Sequence, residues 1–113
     1  MKDELGSGNP LGCPAVATLG LIGGKWKPMV IHILIDQPMR FGKLRRLMHP
    51  ISQKVLTEQL RDLEDVSIVQ RDVLDEKILN VTYSLTEYGK SLIPVIEALY
   101  QWGKINIPNP NKV

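Results

Sequence analysis

The spacing of apolar positions changes along this chain, and each change predicts an element. Pro14 to Ile22 reads as a short first helix, with Cys13 at the N-cap position and Pro14 at the first helical position, where a missing N–H costs nothing. Gly23-Gly24 ends it. Trp26, Met29, Val30, Ile33 and Leu34 then recur at helical spacing as the apolar stripe of a second helix, stopped by Asp36-Gln37-Pro38. From Arg40 to Met48 a third helix points Phe41, Leu44, Leu47 and Met48 inward and leaves Lys43, Arg45 and Arg46 to water. His49-Pro50 breaks it.

The next helix begins at Ser52, whose hydroxyl can accept a backbone N–H of the first turn, while Ile51 before it can pack on Leu56 as a hydrophobic staple. At about 100° per residue, Val55, Leu56, Leu60 and Leu63 fall on one side and Gln53, Lys54, Thr57, Glu58 and Arg61 on the other. After Ser67 the period becomes two. Ile68 to Leu74 and Leu79 to Leu85 flank Asp75-Glu76-Lys77, and Val81, Tyr83 and Leu85 alternate with Thr82 and Ser84, as in a hairpin with one face on the core. Thr86 then caps a final helix from Glu87 to about Lys104. Its apolar set of Leu92, Ile93, Val95, Ile96, Leu99, Tyr100 and Trp102 spans about half the circumference, wider than a monomer needs, with Leu92, Ile96, Leu99 and Trp102 the expected contacts. The excess predicts a dimer surface.

Helices followed by a hairpin, with two short helices separated by a tight break, are the parts of a winged helix-turn-helix. The predicted fold is therefore mainly α with a small β-hairpin wing. The domain spans residues 13–104, between a loose Gly-, Asn- and Pro-rich segment at 1–12 and a similar tail at 105–113. At 113 residues there is room for one core.

Composition adds little until the charges are placed. With 43% hydrophobic and 23% charged residues the chain is of ordinary globular type, and a formal net charge of +2 names no partner. From Lys25 through Lys54, however, seven basic side chains (Lys25, Lys27, Arg40, Lys43, Arg45, Arg46, Lys54) stand against the one acid Asp36. That bias points to a polyanion. Gln53, Lys54, Thr57 and Arg61, near a helix N-terminus that itself favours phosphate, are of the types that reach base edges in a major groove. Double-stranded DNA is the expected partner, with Arg40, Lys43, Arg46, Ser52 and Lys77 as further contacts.

A winged helix used only for protein interaction is the alternative, and the basic segment argues against it, since phosphate requires positive charge and a protein partner does not. An enzyme is not expected: Cys13 has no nearby histidine or acid in sequence and no glycine-rich substrate loop follows. No cofactor is expected, and one Cys with His32 and His49 falls short of a zinc spacing pattern. His32 reads as a partly buried histidine, His49 as part of a turn, and Trp26 and Trp102 as core or interface aromatics. The single Cys suits a reducing cytoplasm, no segment approaches the length of a membrane span, and Lys2-Asp3-Glu4 stands where a signal peptide would be apolar.

Cys13-Pro14, Gly23-Gly24-Lys25-Trp26, Arg40-Phe41 with Leu44, Ile51-Ser52 with Lys54-Val55-Leu56-Thr57, Leu60 with Leu63-Glu64, Tyr83-Ser84-Leu85-Thr86-Glu87 with Gly89, and Trp102 stand in order over about residues 13–103. This set closely resembles the HxlR-type winged helix-turn-helix transcriptional regulators of bacteria. The resemblance implies a homodimer joined through its first and last helices, a recognition helix beginning at Ser52, and control of nearby genes. It also makes Cys13 a candidate redox sensor for an oxidant or small electrophile, because several members sense through a matching cysteine. Cys13 lies at the positive end of a helix dipole, and Lys25 and Lys27 could fold back on it, both of which favour a thiolate. Against the family pattern, Asp65-Val66-Ser67-Ile68 lacks the glycine that usually follows the recognition helix. At the wing tip Lys77 is the only base, and Asp72, Asp75 and Glu76 around it repel phosphate.

Overall fold

The computed structural model describes residues 8–75 and 80–112. In chain order the elements are α1 (Pro14–Ile22), α2 (Trp26–Leu34), β1 (Met39–Arg40), α3 (Phe41–Leu47), α4 (Gln53–Asp65), β2 (Val69–Asp75), β3 (Asn80–Leu85), α5 (Glu87–Lys90) and α6 (Ile93–Asn106). A 3-10 turn, Pro110–Lys112, follows. The expected helices and hairpin are thus present, with residues 76–79, Lys77 among them, outside the described residues. β2 and β3 pair antiparallel, Val69 opposite Leu85 and Val73 opposite Val81.

A third strand joins the hairpin. β1 pairs antiparallel with β3, Met39 opposite Tyr83 and Arg40 opposite Thr82, giving the order β1-β3-β2. Two residues are too few to display a period of two, so only tertiary pairing defines this strand.

α2 runs through the middle of the molecule, against α4 and β3 on one side and α6 on another. A helix with neighbours on several sides needs more than one stripe. Ile31 is accordingly buried with Val30 and Leu34, whereas Met29, expected in the stripe, reaches the surface. In α3 the row of Leu44 and Met48 enters the core, but Leu47 is 55% exposed and borders a groove with His32, Ile35 and Glu97. It lies about 60° round the helix from Leu44 and about 100° from Met48, at the margin of the apolar row those two share.

α4 begins as expected. Ser52 accepts the Val55 N–H at 3.0 Å, and Ile51 and Leu56 are both buried. Leu56, Leu60 and Leu63 are fully enclosed, each contributing about 1.5–3 kcal/mol of hydrophobic stabilisation. The missing glycine after α4 is replaced by Ser67 in the left-handed region, φ 65°. Its N–H donates to Glu64 O at 2.9 Å and that of Ile68 to Leu63 O at 2.9 Å, the paired bonds of a Schellman motif, with Leu63 and Ile68 both buried beneath it. The Thr86 hydroxyl donates to Ser67 O at 2.5 Å, fastening this turn to the start of α5.

The final helix is divided, contrary to a single span from Glu87 to Lys104. Thr86 does cap a helix, accepting the Gly89 N–H at 2.9 Å, but that helix is α5 and ends at Lys90. Pro94 has no N–H to return to the Lys90 carbonyl, so the chain tightens through Ser91 and Leu92 and restarts as α6 with Pro94 in its first turn. Gly89 packs so closely on the Ile68 carbonyl that a Cβ would overlap it, which holds α5 against the sheet. α6 continues to Asn106, two residues past the expected limit. Among the described residues no helix is long and apolar enough to cross a membrane.

Candidate nucleic-acid interface

α3 and α4 meet at the turn through His49 and Pro50, and Arg45 ties the two sides by donating from Nε to Ile51 O at 3.5 Å. Because the inner rows of both helices are apolar, their polar rows are turned out together. Arg40, Lys43 and Arg46 are exposed on α3 and its cap, and Ser52, Gln53, Lys54 and Arg61 are exposed on α4 and its cap. Arg40, Lys43 and Arg46 line one cleft with Gly42; Arg45, Arg46, His49 and Ser52 line another at the turn. The second of these shallow basic clefts reaches Ser52 at the N-terminus of α4, where backbone N–H groups of the first turn add to the positive field.

A third cleft, of about 320 Å³, opens between the start of α3, the first turn of α4 and β3. Here Arg40, Gln53 and Thr57 converge, joined by Phe41, Gly42, Val81 and Tyr83. Thr57 is half-buried and its hydroxyl donates to Gln53 O at 2.8 Å. Tyr83 is a participant that the sequence marks only as a core-facing strand position; its Val-x-Tyr alternation gives the inward face without revealing that β1 carries Arg40 beside it. Burial pushes the Tyr83 phenol above its ordinary value of 10.0, Glu64 adds to that, and Arg71 and Arg61 oppose it, so the hydroxyl keeps its proton.

Two of the seven cations counted in the basic segment are engaged elsewhere. Lys27 pairs with Asp62 at 3.3 Å and Lys25 lies over the Trp26 ring at 4.6 Å. Those contacts also bear on Cys13, since neither lysine is held at the thiol as the sequence suggested. Cys13 is half-buried at the N-cap position of α1 without a side-chain cap bond. Its N–H donates to Asn9 Oδ1 at 2.8 Å and its carbonyl accepts from Asn9 Nδ2 at 3.2 Å.

The residues expected at a dimer surface divide. Leu92 and Ile96 are buried in the protomer's own core, because α6 uses that row to cover α2. Leu99 is 50% exposed, Trp102 62% and Ile105 77%, and Val16 and Leu19 on α1 are exposed as well. His32, expected partly buried, is exposed and stacks on Tyr100 of α6 at 4.9 Å. On the wing side, Arg71 of β2 reaches Glu64 of α4 at 3.8 Å.

The family profile described as HxlR-like helix-turn-helix matches residues 21–111. The HTH-type transcriptional regulator YybR of Bacillus subtilis is 44% identical over 98 residues, covering 87% of this chain and 78% of that protein. Among solved structures, the redox regulator HypR in its oxidised form superposes with a TM-score of 0.80 at 42% identity, covering 86% of this chain and 100% of that one. The reduced form of the transcriptional regulator YodB from B. subtilis gives a TM-score of 0.73 at 37% identity, covering 85% and 95%.

Proposed function

The chain belongs to the HxlR-like helix-turn-helix family of transcriptional regulators, and we propose that it binds an operator in double-stranded DNA as a homodimer, with α4 lying in the major groove. The observation that carries this reading is the division of α4. Leu56, Leu60 and Leu63 are wholly enclosed, so the helix is fixed in place, while Gln53, Lys54 and Arg61 are exposed on the other side, and α3 and the turn before α4 carry clefts lined by Arg40, Lys43, Arg45 and Arg46. A firmly packed helix with a polar outer row and flanking cations suits base readout supported by phosphate contacts. Regulation of transcription, not catalysis, is the role of the family. The proposed place of action is the cytoplasm.

Pairing through the terminal helices is supported by the apolar side chains that α6 and α1 leave in water. Leu99 and Trp102 are the proposed contacts, and a pair of subunits would present two copies of α4 to half-sites about 34 Å apart. Selection of bound duplexes from random DNA, followed by titration at fixed salt, tests the reading. Gln53→Ala should erode the preference for the selected duplex over random DNA while leaving weak binding to random DNA intact. Equal loss on both would remove α4 from the role of base reader.

A thiol response through Cys13 belongs to the same proposal. It is supported by the similarity to regulators whose structures are described as redox regulators, although the matched family span opens at residue 21, beyond Cys13. With one cysteine per chain, oxidation can end in a sulfenic acid, a mixed disulfide with a small thiol, or a bond to the partner subunit's cysteine. Diamide should change operator affinity in the parent and not in Cys13→Ser. An unchanged response in that variant would discard the sensor and leave DNA binding standing.

A further inference from the structure

Thr57 stands on the outer face of α4 beside the cleft that Arg40, Phe41 and Tyr83 line. Its hydroxyl donates to Gln53 O at 2.8 Å, and a hydroxyl has a single proton. No donor is left for a base edge. What Thr57 still offers is an accepting lone pair and a methyl group, and the cleft it lines is walled by Phe41, Val81 and the neutral Tyr83. Gln53, one turn earlier on the same face, and Arg40 at the same cleft supply donors.

In the major groove, thymine differs from the other bases by pairing an apolar 5-methyl with an O4 acceptor. An adenine or guanine N7 turned toward Phe41 and Val81 would lose its water without gaining a partner, and cytosine brings no methyl to fill the space. We propose that this cleft seats the 5-methyl group of an operator thymine, with the Thr57 methyl as the discriminating contact and Gln53 or Arg40 donating to the polar edge beside it. The inference rests on α4 being the reading helix, as proposed above, and names the base feature that it reads.

The test uses the full-length protein and the duplex selected from random DNA. Each thymine is replaced in turn by 2′-deoxyuridine, which deletes the methyl and keeps every hydrogen-bonding atom. One thymine in each half-site should prove sensitive, its replacement weakening binding about fourfold, as expected for one methyl-sized group withdrawn from burial. Thr57→Ser retains the hydroxyl and its bond to Gln53 but lacks the methyl. It should bind the thymine duplex as weakly as the parent binds the uracil duplex, and should be indifferent to the replacement. Thr57→Val, which keeps a methyl and loses the hydroxyl, should retain the uracil penalty. Tolerance of uracil at every position, or a full penalty surviving in Thr57→Ser, overturns the proposal. Gln53→Ala measured beside them separates the two levels. Reduced sequence preference with no uracil effect refutes only the methyl seat; equal loss on selected and random duplexes refutes α4 as the reader.

Discussion

α4 and α6 are helices of similar length with opposite relations to their own protomer. In α4 the three leucines lie in a narrow row and are enclosed, Leu60 to 1% exposure, with Val55 partly buried beside them, so that the outer surface is polar. In α6 the row through Leu92 and Ile96 is similarly consumed, yet Val95, Leu99, Trp102 and Ile105 are left facing water. A helix whose hydrophobic demand is met inside the protomer is available for a polar, hydrated partner such as DNA. One whose demand is unmet asks for an apolar partner. The contrast assigns the two proposed interactions to different helices of the same chain.

The same truncation at the two helices should expose the difference most sharply. Leu60→Ala removes enclosed atoms and leaves a cavity, and should lower unfolding free energy in urea by about 2–5 kcal/mol. Leu99→Ala, measured at a concentration where subunits are separate, should cost under about 1 kcal/mol, since its side chain is already half in water. Similar losses at both positions would erase the distinction. Placing charge on α6 with Leu99→Glu and Trp102→Glu should then separate subunits in sedimentation without unfolding them, because a buried unpaired carboxylate costs several kcal/mol in an interface and little in water. An unchanged pair would move the interface off α6.

On the α4 side, Lys43→Ala should reduce the log–log salt slope of DNA binding by about 0.9 for each phosphate that the lysine neutralises, weakening all duplexes alike. A smaller effect belongs to the joint between the regions. Ser67 holds φ 65°, where a Cβ is unfavourable, so Ser67→Gly should raise stability by about 0.5–1 kcal/mol with DNA binding unaltered. No gain in urea midpoint would mean that the serine side chain costs nothing in this left-handed turn.

Features decided by a few consecutive residues were legible in the sequence. Ser52 as a cap, Pro14 at a first turn and the alternation of Tyr83 and Leu85 with Ser84 all act over one turn or one strand, and the structure has each of them. Features decided by distant partners were not. β1 exists because β3 lies alongside, and Ile31 is buried because α2 has neighbours on several sides. Ser67 was hidden for another reason: its Schellman turn is local, but a serine stands where glycine usually marks one. Pro94 was visible throughout, but α5 and α6 both bury residues against the core, so the apolar rhythm continued across the break and hid it. At the candidate interface the individual polar residues were readable, whereas the cleft that gathers Arg40, Thr57 and Tyr83 depends on β1, α4 and β3 meeting in space.

The apolar surface of α6 carries a consequence for dosage. Under the pairing proposed here, a lone subunit holds Trp102 and Ile105 in water and a paired one does not, so the folded state gains its stability from its own abundance. While most subunits are single, the paired species grows as the square of their concentration. Occupancy of a two-half-site operator then has a threshold: sparse protein leaves the gene unregulated, and a modest rise in synthesis turns control on. A melting temperature that climbs with protein concentration is the laboratory counterpart of that threshold.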